Sequence, residues 1–205
     1  MKNYHLNAAL PDRDLEDCFG AKTLVQNNRP GEEIDLKSKL RVVPGFPRPG
    51  VNFIDITTLL KDPAALKSAI DRMTSEFSKR TVDVLVGIEA RGFMIGAPVA
   101  YNLGVGFVPA RKRGKLPATR LAEEYELEYG SEYLEMHSDS IKFGQKVGIV
   151  DDLMATGGTA EATARLVEKM GGTVSCLGFL VELDFLKGRK KLLKYDVFSL
   201  VHYSE

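Results

Sequence analysis

The chain has no tryptophan, only two cysteines and only three histidines among its 205 residues. Cys18 and Cys176 form neither a metal-ligand nor a redox spacing. That excludes a disulfide framework and points to free thiols in a reducing compartment. His5, His137 and His202 are scattered, so no histidine-rich metal site is expected and each has a surface or packing role. No apolar run approaches the roughly 20 residues of a membrane helix. The opening stretch "MKNYHLNAALPDRDLED" lacks the apolar core of a secretory signal. Charge of either sign is not in excess: Lys+Arg and Asp+Glu are 28 each, which speaks against a dedicated nucleic-acid binder. These absences lead to the expectation of a soluble cytoplasmic protein with no membrane and no nucleic-acid partner.

What is present is length for one domain with a sizeable core. Residues 1–30 are polar and weakly periodic and read as an extension, with "NNRPGEE" as the connection to a single domain over 31–205. From residue 32 the pattern alternates. "GEEIDLKSKLRVV" has helical spacing and should stop before Pro44. Asp62 caps a helix that starts with Pro63 and places Leu66, Ile70, Met73 and Phe77 on one face. "VDVLVGIEA", "KVGIVDD", "TVSCLGFLVEL" and "YDVFSLVHY" read as strands, the first two as buried runs. "VGFVPA" is a short strand whose Pro109 suits an edge or an end. "GFMIGAPVAYNLG" and "GTAEATARLVEKMGG" read as helices closed by glycine. Apolar strands alternating with helices predict an α/β fold, a mostly parallel sheet flanked by helices. In such sheets ligands sit at the carboxyl ends of strands, near the topological switch point.

The most informative stretch is "VGIVDDLMATGGTA", residues 147–160. A buried strand delivers Asp151 and Asp152 to a carboxyl edge, and the small loop Ala155, Thr156, Gly157, Gly158, Thr159 opens the next helix. Backbone N–H groups at a helix N-terminus suit a phosphate, and glycine lets the anion approach closely. Carboxylates just upstream suit sugar hydroxyls, since the carboxylate accepts and the O–H donates. A Walker A loop would need a Gly-Lys-Ser/Thr end, and a dinucleotide fingerprint would need G-x-G-x-x-G. Neither is present.

This stretch resembles the signature of the type I phosphoribosyltransferases, which hold 5-phosphoribosyl-1-pyrophosphate (PRPP). The resemblance implies their fold, a central mostly parallel sheet with a small hood and a flexible catalytic loop. It places Asp151 and Asp152 on the ribose and Ala155 to Thr159 on the 5′-phosphate. Three further stretches, "VPGFPRPGVNFIDITTLLKDP", "GIEARGFMIGAPVA" and "RKRGKLP…LEYG", are similar to adenine-specific members, over about residues 35–203. The implied reaction is adenine plus PRPP giving AMP plus pyrophosphate, with Mg2+ held mainly by substrate and water, in a homodimer. The hood is expected over roughly 40–60 together with a C-terminal segment, and the flexible loop over roughly 112–131.

By resemblance the turn Glu89-Ala90-Arg91 faces the pyrophosphate, with a cis peptide bond at Glu89-Ala90. The basic run Arg111, Lys112, Arg113, Lys115 leads into a polar stretch, 114–131, too long for an ordinary connection and better read as a lid. From this run Arg111, Lys112 and Lys115 are expected on pyrophosphate, Arg111 in the neighbouring subunit's site. Glu128 is the expected acid/base at the purine, and Tyr129 positions the reactants. Val51, Phe53 and Ile54 form the adenine site, Phe53 by stacking on the base. Ile54 departs from the arginine many relatives carry there. Two alternatives stay open on the sequence alone: the same chemistry on another purine, and a non-catalytic PRPP-sensing regulator.

Overall fold

Val84–Ile88 (β3) is the pivot of the main sheet, and all five of its residues are buried. Gly106–Lys112 (β4) pairs with it in parallel on one side and Lys146–Met154 (β7) on the other. Beyond β7 come Thr173–Leu183 (β8) and Val197–Tyr203 (β9), both parallel. Beyond β4 lie Ser131–His137 (β6) and Arg120–Glu126 (β5), both antiparallel to their neighbours. The strand order is β5-β6-β4-β3-β7-β8-β9. The computed structural model describes residues 33–126 and 130–204, and its compact unit begins at Ile34.

Helices cover both faces, and period-2 alternation along the strands decides which residue meets which helix. Leu85, Val150 and Leu180 point to one cluster, with Met73 and Phe77 of Pro63–Ser78 (α2) and Ile95 and Val99 of Arg91–Leu103 (α3). Val86, Ile149 and Leu177 point to the other, with Ala160, Ala164 and Val167 of Gly158–Lys169 (α4). Phe77 is fully buried and packs where Gly148 and Gly178 leave room, since a Cβ at Gly178 would lie 2.7 Å from the ring. Burying such a ring contributes about 2–3 kcal/mol. The expected helix cap is present: the Asp62 carboxylate accepts from the Ala64 and Ala65 N–H groups, with Pro63 in the first turn. Gly104 closes α3 in the left-handed conformation.

The chain leaves β3 through α3 toward β4, and leaves β7 through α4 in the opposite direction toward β8. The carboxyl ends of β3 and β7 therefore flank the switch point. A second, two-stranded sheet is made by Arg41–Pro44 (β1) and Asn52–Asp55 (β2), followed by the short helix Thr57–Leu60 (α1). Its turn carries a cis Phe46-Pro47 bond, and Gly45 N–H donates to the Val51 carbonyl at 2.7 Å. Arg41 and Asp55 face each other across the ribbon and form an ion pair. Asp55 also accepts from Thr57 N–H at 2.8 Å.

Two local expectations are corrected, and a third, Pro109 at a strand edge, is met in part. The stretch read as a helix before Pro44 is only a 3-10 turn, Lys37–Lys39, that runs into β1. Pairing of residues 41–44 with β2 outweighs the local helical spacing. Pro109 lies within β4, but β6 joins only at Arg111 and Lys112, so β4 has an edge-like side at the proline. The polar stretch 114–131 is not a plain loop: its residues 120–126 are β5, paired along their length with β6. No helix among the described residues is long and apolar enough to cross a membrane.

Candidate active site

β7 continues through the acidic pair to Met154 and brings both carboxylates to the switch point. Asp152 is 4% exposed. Its Oδ2 lies 2.9 Å from Arg91 Nε, an ion pair across the two halves of the sheet. The same oxygen accepts no well-aligned hydrogen bond, so the pairing is one of charge rather than direction. Asp152 N–H donates to Asp151 Oδ1 at 2.8 Å and fixes the neighbouring carboxylate. Burial pushes the Asp151 carboxyl well above its ordinary range, and the charge of Asp152 pushes it further. Burial raises Asp152 as well, opposed by Arg91. Asp152 Oδ2 thus keeps an acceptor site that no donor fills, a property that suits sugar hydroxyls or a hard cation.

The first turn of α3 comes close to this pair because Gly92 has no side chain. A Cβ there would lie 2.9 Å from both Asp151 Oδ1 and the Val150 carbonyl oxygen. The turn before it holds the cis Glu89-Ala90 bond, as expected. Glu89 gathers the basic run. Arg111 donates to both its carboxylate oxygens at 3.0 and 3.1 Å, and Lys112 N–H donates at 3.1 Å. Burial raises the Glu89 carboxyl, but Arg111, the Lys112 N–H and the charge of Lys115 hold it below its usual value. Arg111 also donates to the Lys115 carbonyl at 3.0 Å. Arg111, Lys112 and Lys115 therefore cluster at the end of β4, beside the turn that carries Ala90 and Arg91. In this chain the Arg111 guanidinium is directed at its own Glu89.

Across the switch point, Ala155 to Gly157 link β7 to α4, which Gly158 and Thr159 open. Gly157 sits at φ +78° at the helix N-cap, with no side-chain cap, so the first N–H groups of α4 are not taken by a side chain. Thr159 instead accepts through its carbonyl from the Thr163 hydroxyl at 2.8 Å. A cavity of about 580 Å³ reaches Gly158 and is walled by Tyr125, Ser131, Arg165 and Lys191. Tyr125 was not singled out in the sequence, yet it is nearly buried and donates to Glu132 Oε2 at 2.6 Å. Lys112 Nζ lies 2.9 Å from the same oxygen. Burial, then Glu132, push the phenol upward, so Tyr125 stays protonated.

The two-stranded sheet supplies an aromatic wall. The Phe53 ring lies 5.1 Å from the Arg91 guanidinium and meets Phe46 edge-on at 5.3 Å. Phe46, beside a proline in the turn of that sheet, is exposed at the surface, and nothing in its sequence spacing marks it. Ile54 is 3% exposed and its side chain belongs to the core cluster, on the opposite face of β2 from Phe53. That corrects its place among base contacts: the side chain is packing. Val51 uses its carbonyl within the hood turn, and its N–H donates to the Arg48 carbonyl at 3.3 Å. Glu128 and Tyr129 lie outside the described residues.

The arrangement agrees with comparisons to known proteins. The family model described as "Phosphoribosyl transferase domain" matches residues 55–203. The adenine phosphoribosyltransferase of Clostridium tetani is 56% identical over 170 residues, covering 83% of this chain and 99% of that protein. The solved structure of adenine phosphoribosyltransferase from Thermoanaerobacter pseudethanolicus is 53% identical with a TM-score of 0.81, covering 82% of this chain and 98% of that one. The Saccharomyces cerevisiae enzyme, solved with an imino-altritol bisphosphate and adenine, is 42% identical with a TM-score of 0.75, covering 80% and 95%.

Proposed function

The chain belongs to the adenine phosphoribosyltransferase family, and from that premise we propose how its residues carry the transfer of adenine onto PRPP to give AMP and pyrophosphate. The observation that supports the residue roles best is the facing of two elements across one switch point. Asp151, Asp152 and the loop to Thr159 lie at the end of β7; the cis turn to Arg91 lies at the end of β3.

In this reading Asp151 and Asp152 accept from the ribose hydroxyls, and the loop N–H groups with Thr156 and Thr159 hold the 5′-phosphate. The turn at Glu89-Ala90-Arg91 and the cluster of Arg111, Lys112 and Lys115 receive the pyrophosphate. Phe53 stacks on adenine, and Glu128 manages the proton at the purine while Tyr129 helps position it. As pyrophosphate leaves the anomeric carbon, the ribose gains oxocarbenium character and adenine N9 attacks the opposite face. The protein's part is positioning and electrostatics. Asp152 Oδ2, which accepts no hydrogen bond, fits magnesium, a hard cation that keeps several waters. When bound with PRPP it would offset charge on the leaving group. The working unit is a homodimer, as the family resemblance implies.

The test is a product assay with purified protein, PRPP, magnesium and each of adenine, guanine, hypoxanthine and xanthine. AMP from adenine alone, lost in Glu128→Gln and Asp152→Asn, is expected. IMP or GMP would overturn the base assignment while keeping the PRPP site. No nucleotide from any base, with PRPP still bound, would favour a sensing role instead.

A further inference from the structure

The phosphate loop is braced by a segment that carries no motif. A Cβ on Gly157 would lie 2.6 Å from the Gly188 carbonyl oxygen. In return, a Cβ on Gly188 would run into the Ala155 carbonyl oxygen and lie 3.0 Å from Gly157 N. Two backbones thus touch with no side chain between them, and both contacted Ala155 and Gly157 atoms belong to the loop. Backbone atoms cannot swing aside as a flexible side chain can.

Gly188 opens a 3-10 turn, Gly188–Lys191, that is itself fastened. Arg189 donates to both oxygens of Glu182 at 2.7 and 2.8 Å and to the Val197 carbonyl at 2.8 Å. Glu182 is 3% exposed at the end of β8 and also accepts from the Ser199 hydroxyl on β9 at 2.6 Å. Leu192, just past the turn, is 1% exposed in the core. The turn is therefore tied to β8, to β9 and to the core, and its buried Gly188 is pressed on the loop.

We infer that Gly188 is a positioning residue for the 5′-phosphate, and that the Arg189–Glu182 pair holds it in place. The turn sets the height of the Ala155–Gly157 backbone, and so the direction of the N–H groups that open α4. Adenine and pyrophosphate recognition lie on other elements and do not depend on it. This rests on the assignment of residues 155–159 to the 5′-phosphate.

The test compares binding of AMP and adenosine, which differ only by that phosphate, to the full chain by calorimetry. In the parent protein AMP should bind more tightly than adenosine. In Gly188→Ala that preference should fall about tenfold to a hundredfold, with adenosine affinity unchanged. The KM for PRPP should rise while that for adenine does not. Arg189→Lys keeps the charge but loses the two-pronged contact, and should move the same ratio in the same direction by less. An unchanged AMP preference in a folded Gly188→Ala, or in Arg189→Lys where the alanine variant fails to fold, overturns the inference. A parent protein that shows no preference for AMP would instead sink the phosphate-loop assignment itself.

Discussion

Arg91 and Asp152, from the two halves of the sheet, pair at 2.9 Å. The residue assigned to pyrophosphate is thus the counter-charge of a residue assigned to ribose. Arg91→Gln should raise the KM for PRPP and lower kcat/KM by about a hundredfold. Steady-state kinetics with PRPP varied would show it. An unchanged KM with a lower melting temperature would mean that Arg91 serves only as a counter-ion.

Asp151 gives a pH signature. Its folded-state carboxyl is raised, by burial and then by Asp152. The folded chain therefore keeps a proton that the unfolded chain releases. Stability from this source is full below the ordinary aspartate value of 3.8 and falls as pH rises above it. Asp151→Asn removes the titration while preserving an acceptor for Asp152 N–H. Its melting temperature should gain on the parent's as pH rises above 3.8, while activity is lost. A gap that does not vary with pH would contradict the raised carboxyl.

Asp55 behaves in the opposite sense. Arg41, then the Thr57 N–H, lower its carboxyl to about 2. Its stabilising pair is present above 3.8 and is lost as pH falls through about 2. Arg41 is 58% exposed, so solvent screens the pair and its worth is about 1 kcal/mol or less. In chemical denaturation, Asp55→Asn should be less stable at neutral pH, and the deficit should shrink near the acid limit. A constant deficit would mean that the side chain acts by packing alone.

Gly92 and Gly96 form a matched pair on α3. A Cβ at Gly92 meets the Asp151 carboxylate and β7 backbone; one at Gly96 meets the Val150 and Phe107 side chains at 2.6 and 2.7 Å. Gly96→Ala should lower stability by about 1–3 kcal/mol with PRPP affinity largely kept. Gly92→Ala should cost PRPP affinity about a hundredfold for a similar stability loss. Equal effects on PRPP binding would refute the distinction.

The parallel strands were legible because burial on both faces leaves an unbroken apolar run, as in Val84–Ile88. Asp151 and Asp152 stand out because two carboxylates at the end of such a run belong at the sheet's edge and not in its core. Tertiary pairing hid the rest. Residues 41–44 have helical spacing with what precedes them, and only β2 makes them a strand. Ile54 looked like a base contact until its β2 register turned it inward. Gly188 offered no sign at all, because its part lies in the absence of a side chain at a contact between distant segments.

The switch point has a consequence for the folding chain. Its two walls come from β3 and β7, with α3, β4, β5 and β6 between them in sequence. Neither wall holds a complete site, and any contiguous fragment that contains both must carry five of the seven strands of the central sheet. Ligand affinity is thus a reporter of that assembly: a chain lacking either wall offers PRPP only half a site. Saturating PRPP would then favour only the finished fold, protecting it by mass action against proteolysis and heat.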